Sequence, residues 1–388
     1  MILNQIVPYF QPIIAIDTNK IYAYEVLGRY IENDTVKSLG PFFSTASNEE
    51  ALKVDRIVRR QALERFAEEA NGEYLFINMR LEWLAAFADR PADLPTIKWA
   101  RELGIDPAKL VIEITEEELF DNSDYFLKVL SYYRDAGCRI AIDDYGRDAS
   151  HIDRLVLISP DILKVDRSYV QHSEHSFHYS EYLKMLSSFA EQFGIVVLYE
   201  GIENQAQLDI CIASKGRLYQ GFLLAKPQPQ MKNAVVNHKI FSDTASHQLC
   251  SQREISHKYK NMRAIWDARF EEFFKRHGSE VSASDMDGFL ENLCQWLPNF
   301  IKKTYVCSCD GIQLSHNIEI KPEGVVRVDY RNRNWAWRGF FRNTVEAVST
   351  GMKSWMSTPY LDVTSKEEIC TYSHVIRDDL YVFIDVVV

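Results

Sequence analysis

Across residues 1 to about 230, short apolar segments rich in β-branched residues alternate with longer stretches of helical spacing. The candidate strands are VPYFQPIIAI, KIYAYEVLGRY, EYLFINM, LVIEIT, RIAIDD, ILKVD, IVVLYEG and RLYQGFLL. Between them lie amphipathic helices, such as the face made by Val54, Ile57, Val58, Ala62 and Phe66, which is flanked by Lys53, Arg56, Arg59, Arg60 and Glu64. Strands separated by helices pair in parallel through crossovers. About eight of them in this length predict an α/β fold of the TIM-like (β/α)8 barrel type rather than an open sheet.

The pattern changes afterwards. The charged segment QREISHKYKNMRAIWDARFEEFFKRHG predicts a connecting helix that packs one stripe, Ile255, Tyr259, Met262 and Ile265/Trp266 continuing to Phe270 and Phe273. From about 285 the chain begins again as an α+β pattern with an antiparallel sheet. There the helices are FLENLCQWLPNFIKK and Gly339–Val348, and the strands are TYVCSCDGIQLSHNIEI, WMSTPYLDV, EEICTYSHVI and LYVFIDVVV. The expected organisation is a barrel over 1–235, a helical linker over 236–284 and a second domain over 285–388.

Charge excludes one class of function. The net charge of −11 argues against a binder of polymeric nucleic acid, which needs a basic surface to displace counterions. No run approaches the roughly 18 apolar residues of a membrane span, and MILNQIVPYF lacks the form of a secretory signal. The seven scattered cysteines suit a reducing compartment, so a cytoplasmic location is expected, with Cys307 and Cys309 on one strand face as free thiols.

A barrel carries its chemistry where strands end and loops begin. Polar residues gather there: Asn78, Glu113, the pair Asp143 and Asp144, Lys164 and Asp166, Glu200 and Gln220. In YAYEVLGRY, the side chains of Ala23, Glu25, Leu27 and Arg29 share a face. A buried acid there needs Arg29 or a metal as counter-charge. The acids are too many for Lys164 and Arg29 to neutralise. Their hard oxygens, without histidine or cysteine, suit Mg²⁺ or Mn²⁺ better than Zn²⁺. For Asp143 and Asp144 both to reach a metal, the chain must leave extended geometry, which Gly146 permits.

These residues resemble the EAL-domain cyclic-di-GMP phosphodiesterases along residues 1 to 230. The matching motifs are QPI (11–13), EVLGR (25–29), IN (77–78), EITE (113–116), DDYG (143–146), LKVD (163–166), EGIE (200–203) and QGF (220–222). The resemblance implies a barrel whose first strand runs antiparallel, with two metal ions, Mg²⁺ or Mn²⁺, on its C-terminal rim. It implies that Glu25, Asn78, Glu113 and Asp143 ligate one ion. Asp143, Asp144 and Glu200 would ligate the other, with Asp166 close by. Water activated between the ions would then cleave one phosphodiester, giving linear pGpG. Lys164, Glu200 and Gln220 are implied as catalytic, Gln11, Arg29, Leu27 and Asp144 as substrate-binding, and Glu116 as the anchor of the loop after DDYG.

That loop departs from the family pattern. DYGRDASHIDRL carries Arg147, Asp148, Ala149 and His151 where small, glycine or aromatic residues are usual, and Tyr199 is expected to add bulk beside Glu200. The departure keeps a second reading open, a receptor that binds cyclic-di-GMP with little or no turnover. Residues 285–388 resemble the PAS-like (Cache-type) domain of YkuI-type EAL proteins through WAWRGFFRNTV, WMSTPYLDVTSKEEICTYS and YVFIDVVV. This implies sensing of an unknown small ligand or assembly into a homodimer. Trp335, Trp337 and Trp355 are read as packing residues and His172, His175 and His178 as a solvated segment, while Asp362 and Arg338 are candidates to meet a small molecule, with turn and salt-bridge roles the preferred reading.

Overall fold

The computed structural model describes residues 5–80, 83–84, 87, 90, 93–115, 124–146, 152–232, 234–277, 285–297, 301–321 and 324–387. The chain divides into two compact units, Met1–Leu249 and Cys250–Val388. Glu116 and residues 147–151, including the divergent part of the loop after DDYG, lie outside the described residues.

In the first unit the strands are β1 (Ile6–Ala15), β2 (Lys20–Glu32), β3 (Thr35–Ser38), β4 (Tyr74–Asn78), β5 (Leu110–Thr115), β6 (Arg139–Tyr145), β7 (Ile162–Val165), β8 (Val196–Tyr199) and β9 (Leu218–Tyr219). Their order is β1-β9-β8-β7-β6-β5-β4-β2-β3, and pairing of β1 with β2 closes eight of them into a barrel. β1 runs antiparallel to both neighbours, while β2 and then β4 through β9 follow one another in parallel around the wall. The α/β barrel with an inverted first strand is therefore present.

β3 stands outside that circuit. Asn33 and Asp34, both at positive φ (48° and 60°), make the tight turn that folds Thr35–Ser38 back on β2. The strand expected over RLYQGFLL shrinks to Leu218–Tyr219. Gly221 explains the break, because a Cβ there would lie 2.0 Å from the Ile202 carbonyl oxygen. The chain has turned from the sheet to pass against another backbone.

The helix Asn48–Glu69 starts at a capping box between Ser47 and Glu50 and buries Val54, Val58, Ala62 and Phe66 as its spacing predicts. Arg59, expected on the polar flank, is buried instead. It pairs with Asp55 and donates to Thr96 Oγ1 at 2.8 Å, and burial pushes its guanidinium down to about 10.

In the second unit, seven antiparallel strands take part in one sheet. These are β10 (Ile301–Ser308), β11 (Asn317–Lys321), β12 (Gly324–Val328), β13 (Ser354–Met356), β14 (Tyr360–Leu361), β15 (Glu368–Arg377) and β16 (Leu380–Val387). The helix read as FLENLCQWLPNFIKK ends at Trp296, because Leu297 precedes a proline and is extended (ψ 162°). Ile301 already belongs to β10. Trp266, Phe270 and Phe273, from the long helix His238–His277, pack with Leu290, Leu293 and Tyr372 in this unit's core. Ile255 and Ile265, expected in the same stripe, are exposed. β10 stops at Ser308, so Cys307 is buried while Cys309 is exposed, and the two thiols do not share a face.

Candidate active site

Side-chain alternation assembles the site. Ala23, Phe76, Val111, Ala141, Ile162, Leu198 and Leu218 form one apolar cluster. Two residues further along the same strands stand Glu25, Asn78, Glu113, Asp143, Lys164, Glu200 and Gln220. Because the period of a strand is two, these positions face the same way. On the inverted β1 the sense is reversed, and Gln11 stands two residues before Ile13, opposite Glu25 in register. An apolar layer is thus capped by a polar one at the strand ends, the part of such a barrel that carries chemistry.

Lys164 stands at the centre and is fully buried. Its Nζ lies 2.5 Å from Glu113, 2.7 Å from Glu200, 2.9 Å from Asp143 and 3.3 Å from Glu25. Burial alone would push this ammonium down. The carboxylates of Asp143, Glu113, Glu200 and Glu25 outweigh that and hold it well above the ordinary lysine range. Glu113 and Glu200 are pushed up by burial, with Lys164 opposing the shift and neighbouring acids adding to it.

One ammonium facing four carboxylates leaves negative charge unanswered. Glu113 Oε2 is buried without a hydrogen-bond partner. The contacts from Lys164 to Glu113 Oε1 and Glu200 Oε1 are close but lack hydrogen-bond alignment. Glu25 is better satisfied, since its Oε2 accepts from Gln220 Nε2 at 2.7 Å. Arg29, offered by the sequence as its counter-charge, turns its Nη1 to the Gly28 carbonyl at 3.0 Å instead.

Two groups of acids have the spacing to hold a cation. Glu25, Glu113 and Asp143 form one, and Asp143, Asp144 and Glu200 the other, with one oxygen from each residue within 4.8 Å of the others in its group. Asp143 belongs to both. The donors are hard carboxylate oxygens, the buried orphan Glu113 Oε2 needs a positive partner, and the residues present therefore fit a divalent metal. Asn78 ends β4 in register with Glu113 and is exposed.

The turn that aims both aspartates occurs at Asp144 itself, whose φ is +54°. It donates its N–H to Asp143 Oδ1 at 3.0 Å, and the β6–β7 register shifts between Ile142 and Tyr145. Gly146, at φ +99°, continues the departure from extended geometry.

Asp166 is in neither group. It caps the helix Arg167–Ser173, its Oδ1 accepting from Ser168 N at 2.8 Å and from the Ser168 hydroxyl. An aspartate directly before a helix is an N-cap signal, and it was available in the sequence. Gln11 Nε2 donates to the Ala225 carbonyl at 3.2 Å, while Leu27 and Arg29 are half-buried further along β2.

Tyr199 does not crowd Glu200 as expected. Its hydroxyl meets Ser187 Oγ at 2.7 Å and the Leu183 carbonyl at 3.0 Å, on the helix Phe177–Gln192 outside the sheet. Adjacent strand residues face opposite ways, which sends Tyr199 outward when Glu200 points in. His172, His175 and His178 join neither acidic group, and the His172 ring lies tilted against Tyr179 at 5.0 Å.

The EAL domain family matches residues 1–227 of this chain. The chain belongs to the EAL-domain family. Residues 235–388 match the EAL-domain associated signalling protein domain. Among EAL-domain relatives, the protein YkuI of Bacillus subtilis (strain 168) is 32% identical over 394 residues, spanning 99% of this chain and 94% of YkuI. The crystal structure of YkuI in complex with substrate c-di-GMP and calcium is similar at a TM-score of 0.90 and 29% identity, over 100% of this chain and 97% of that one. The cyclic di-GMP phosphodiesterase NbdA of Pseudomonas aeruginosa is 27% identical over 58% of this chain, which spans 29% of NbdA. The manganese/cy-diGMP complex of Klebsiella pneumoniae BlrP1 is similar at a TM-score of 0.53 and 27% identity, over 58% of this chain and 56% of that one.

Proposed function

We propose that this EAL-domain protein hydrolyses cyclic-di-GMP to linear pGpG with the help of divalent metal ions. The observation that carries the reading is the shared carboxylate. Asp143 joins two acidic triads into one site beside a buried lysine. Glu25, Asn78, Glu113 and Asp143 would hold one Mg²⁺ or Mn²⁺, and Asp143, Asp144 and Glu200 a second, with Asp166 nearby. Two such cations, when bound, supply Lewis acidity toward water and neutralise charge at the phosphodiester.

The chain's own groups supply the rest. Lys164 keeps its proton and brings positive charge to the phosphoryl oxygens while orienting the attacking water. Gln220, fixed by donating its amide N–H to Glu25, leaves its amide oxygen to accept from that water. The Arg29 guanidinium, planar and forked, suits a phosphate of the substrate, and Gln11, Leu27 and Asp144 complete the face that receives it. NbdA carries the phosphodiesterase name, and YkuI is described in complex with c-di-GMP as its substrate.

A receptor that binds cyclic-di-GMP without turnover is the second reading, favoured by the divergent DYGRDASHIDRL. The helix Ile152–Ile158 that follows exposes Ile152, Val156 and Leu157, which supports a homodimer. We assign the barrel to 1–235, the linker to 236–284 and a PAS-like regulatory domain to 285–388. No described helix is long and apolar enough to cross a membrane.

Purified full-length protein incubated with cyclic-di-GMP and Mg²⁺ or Mn²⁺ tests the reading. Formation of pGpG supports it. Binding without product in either metal selects the receptor, and no binding refutes both.

A further inference from the structure

We infer that the second unit binds a small organic carboxylate with an apolar, ring-sized body, its carboxylate received by Arg338 and Tyr305. The site is a cavity of about 210 Å³ among β10, β11, β14 and the start of the helix Gly339–Ser349. Tyr305, Asn317, Trp335, Arg338, Phe340 and Tyr360 are among the residues that line it. Its volume lies below the roughly 300–1,000 Å³ of sites that enclose drug-sized ligands, so it suits a metabolite of amino-acid size rather than a cyclic dinucleotide.

The charges in the wall select the sign of the ligand. Lys303 is already committed, 2.9 Å from Asp362 and 3.3 Å from Asp385. Asp362 also accepts from Thr364 N at 2.9 Å, and Asp385 from Thr371 Oγ1 at 2.6 Å, so both acids are answered within the protein. Arg338, expected from the sequence to form a salt bridge, pairs with no carboxylate among the described residues. Its guanidinium is held by rings instead, 5.2 Å from Trp337, 5.4 Å from Tyr360 and 5.7 Å from Phe340.

Arg338 also meets the Tyr360 phenol, and two further donors around the same space have no described acceptor. Tyr305 is 3% exposed, and its hydroxyl makes no hydrogen bond among the described residues. Asn317 is equally buried; its Oδ1 accepts from Gln313 Nε2 at 2.9 Å, and its Nδ2 donates to no described residue. An arginine fork that meets the Tyr360 phenol and no carboxylate, with a phenol and an amide N–H that donate to no described residue, favours an acceptor-only anionic group, and a planar carboxylate fits the fork. Trp335 and Trp337, read from the sequence as packing residues, help to form the apolar wall around its body.

The test uses metal-free full-length protein and three probes that differ only in the head group: phenylacetate, 2-phenylethylamine and 2-phenylethanol. Binding is read by tryptophan fluorescence and confirmed by calorimetry. Phenylacetate is expected to bind saturably and about tenfold or more tightly than the amine or the alcohol. Arg338→Gln is expected to weaken it about tenfold or more, and Tyr305→Phe, which removes one oxygen and keeps the ring, by about threefold to tenfold. If Arg338→Gln fails to fold, Tyr305→Phe decides. Absence of saturable phenylacetate binding, equal affinity for the amine or the alcohol, or wild-type affinity in the folded variants overturns the inference. Because the readout is binding in the second unit, its failure leaves the phosphodiesterase reading standing, and the reverse holds.

Discussion

Lys164 Nζ lies 2.5 Å from Glu113 Oε1, and neither side chain has any exposure to solvent. Removing the ammonium strands Glu113 with three further acids around it. Lys164→Met is therefore expected to destabilise the metal-free protein by about 3–5 kcal/mol, the usual penalty for breaking a buried pair from one side. Denaturant unfolding with and without Mn²⁺ checks this, and the metal should restore part of the loss. A variant as stable as wild type without metal would mean that the carboxylates are protonated or dispersed.

Glu25 tests the metal assignment from the other wall of the barrel. Glu25→Ala removes an oxygen from the first triad and frees Gln220 Nε2 from the carboxylate that holds it to β2. Turnover of cyclic-di-GMP is expected to fall by about a hundredfold or more. Steady-state assays at saturating Mn²⁺ measure it, and wild-type turnover would remove Glu25 from the ligand set.

Gly221 sets how closely the segment after β9 approaches Ile202. A Cβ would stand 2.0 Å from the Ile202 carbonyl oxygen and 2.3 Å from its nitrogen, backbone atoms that have no room to give. Gly221→Ala is expected to cost about 1–3 kcal/mol and to displace Gln220, lowering turnover more than substrate affinity. Thermal unfolding and a separation of kcat from KM test both halves.

How much of this was legible in the chain depended on the kind of constraint. Strand alternation places a polar residue two positions beyond each inward apolar one, so the convergence of Glu25, Glu113, Asp143, Lys164 and Glu200 could be read once a barrel was inferred. The inversion of β1 came from family resemblance, since pattern alone does not report strand direction. Three features depended on local chemistry that a hydrophobic pattern misses. Asn33 and Asp34 created the extra strand β3, Leu297 before proline stopped a helix early, and Asp144 took a left-handed turn of its own ahead of the one Gly146 permits. Arg59 and Tyr199 were misplaced because their partners, Asp55 with Thr96 and Ser187 with Leu183, declare themselves only in three dimensions.

The second unit carries its own response to acid. His374 stacks on Phe270 at 4.8 Å, with its Nδ1 2.7 Å from the Val375 carbonyl oxygen. Burial depresses its pKa below the ordinary 6.5, opposed by the Val375 carbonyl and by Asp267 and Glu271, with Lys353 adding to the depression. The unfolded chain then binds a proton that the folded one refuses. Stability from this residue is complete above pH ~6.5 and falls as pH drops from there toward the depressed value, at up to about 1.4 kcal/mol per pH unit. His374→Phe keeps the stack and should flatten the difference between melts at pH 8 and pH 5.5. An unchanged difference would assign the acid response to other groups.

Asp143 is shared by both triads, so the number of ions bound is the direct measure of the central claim. Equilibrium dialysis of full-length protein against Mn²⁺ in the presence of cyclic-di-GMP, compared with Asp143→Asn, gives that number. Two ions per chain in the wild type, and loss of both in Asp143→Asn, is the result predicted here. No bound Mn²⁺ in the wild type, or a variant that binds as many ions, would contradict it.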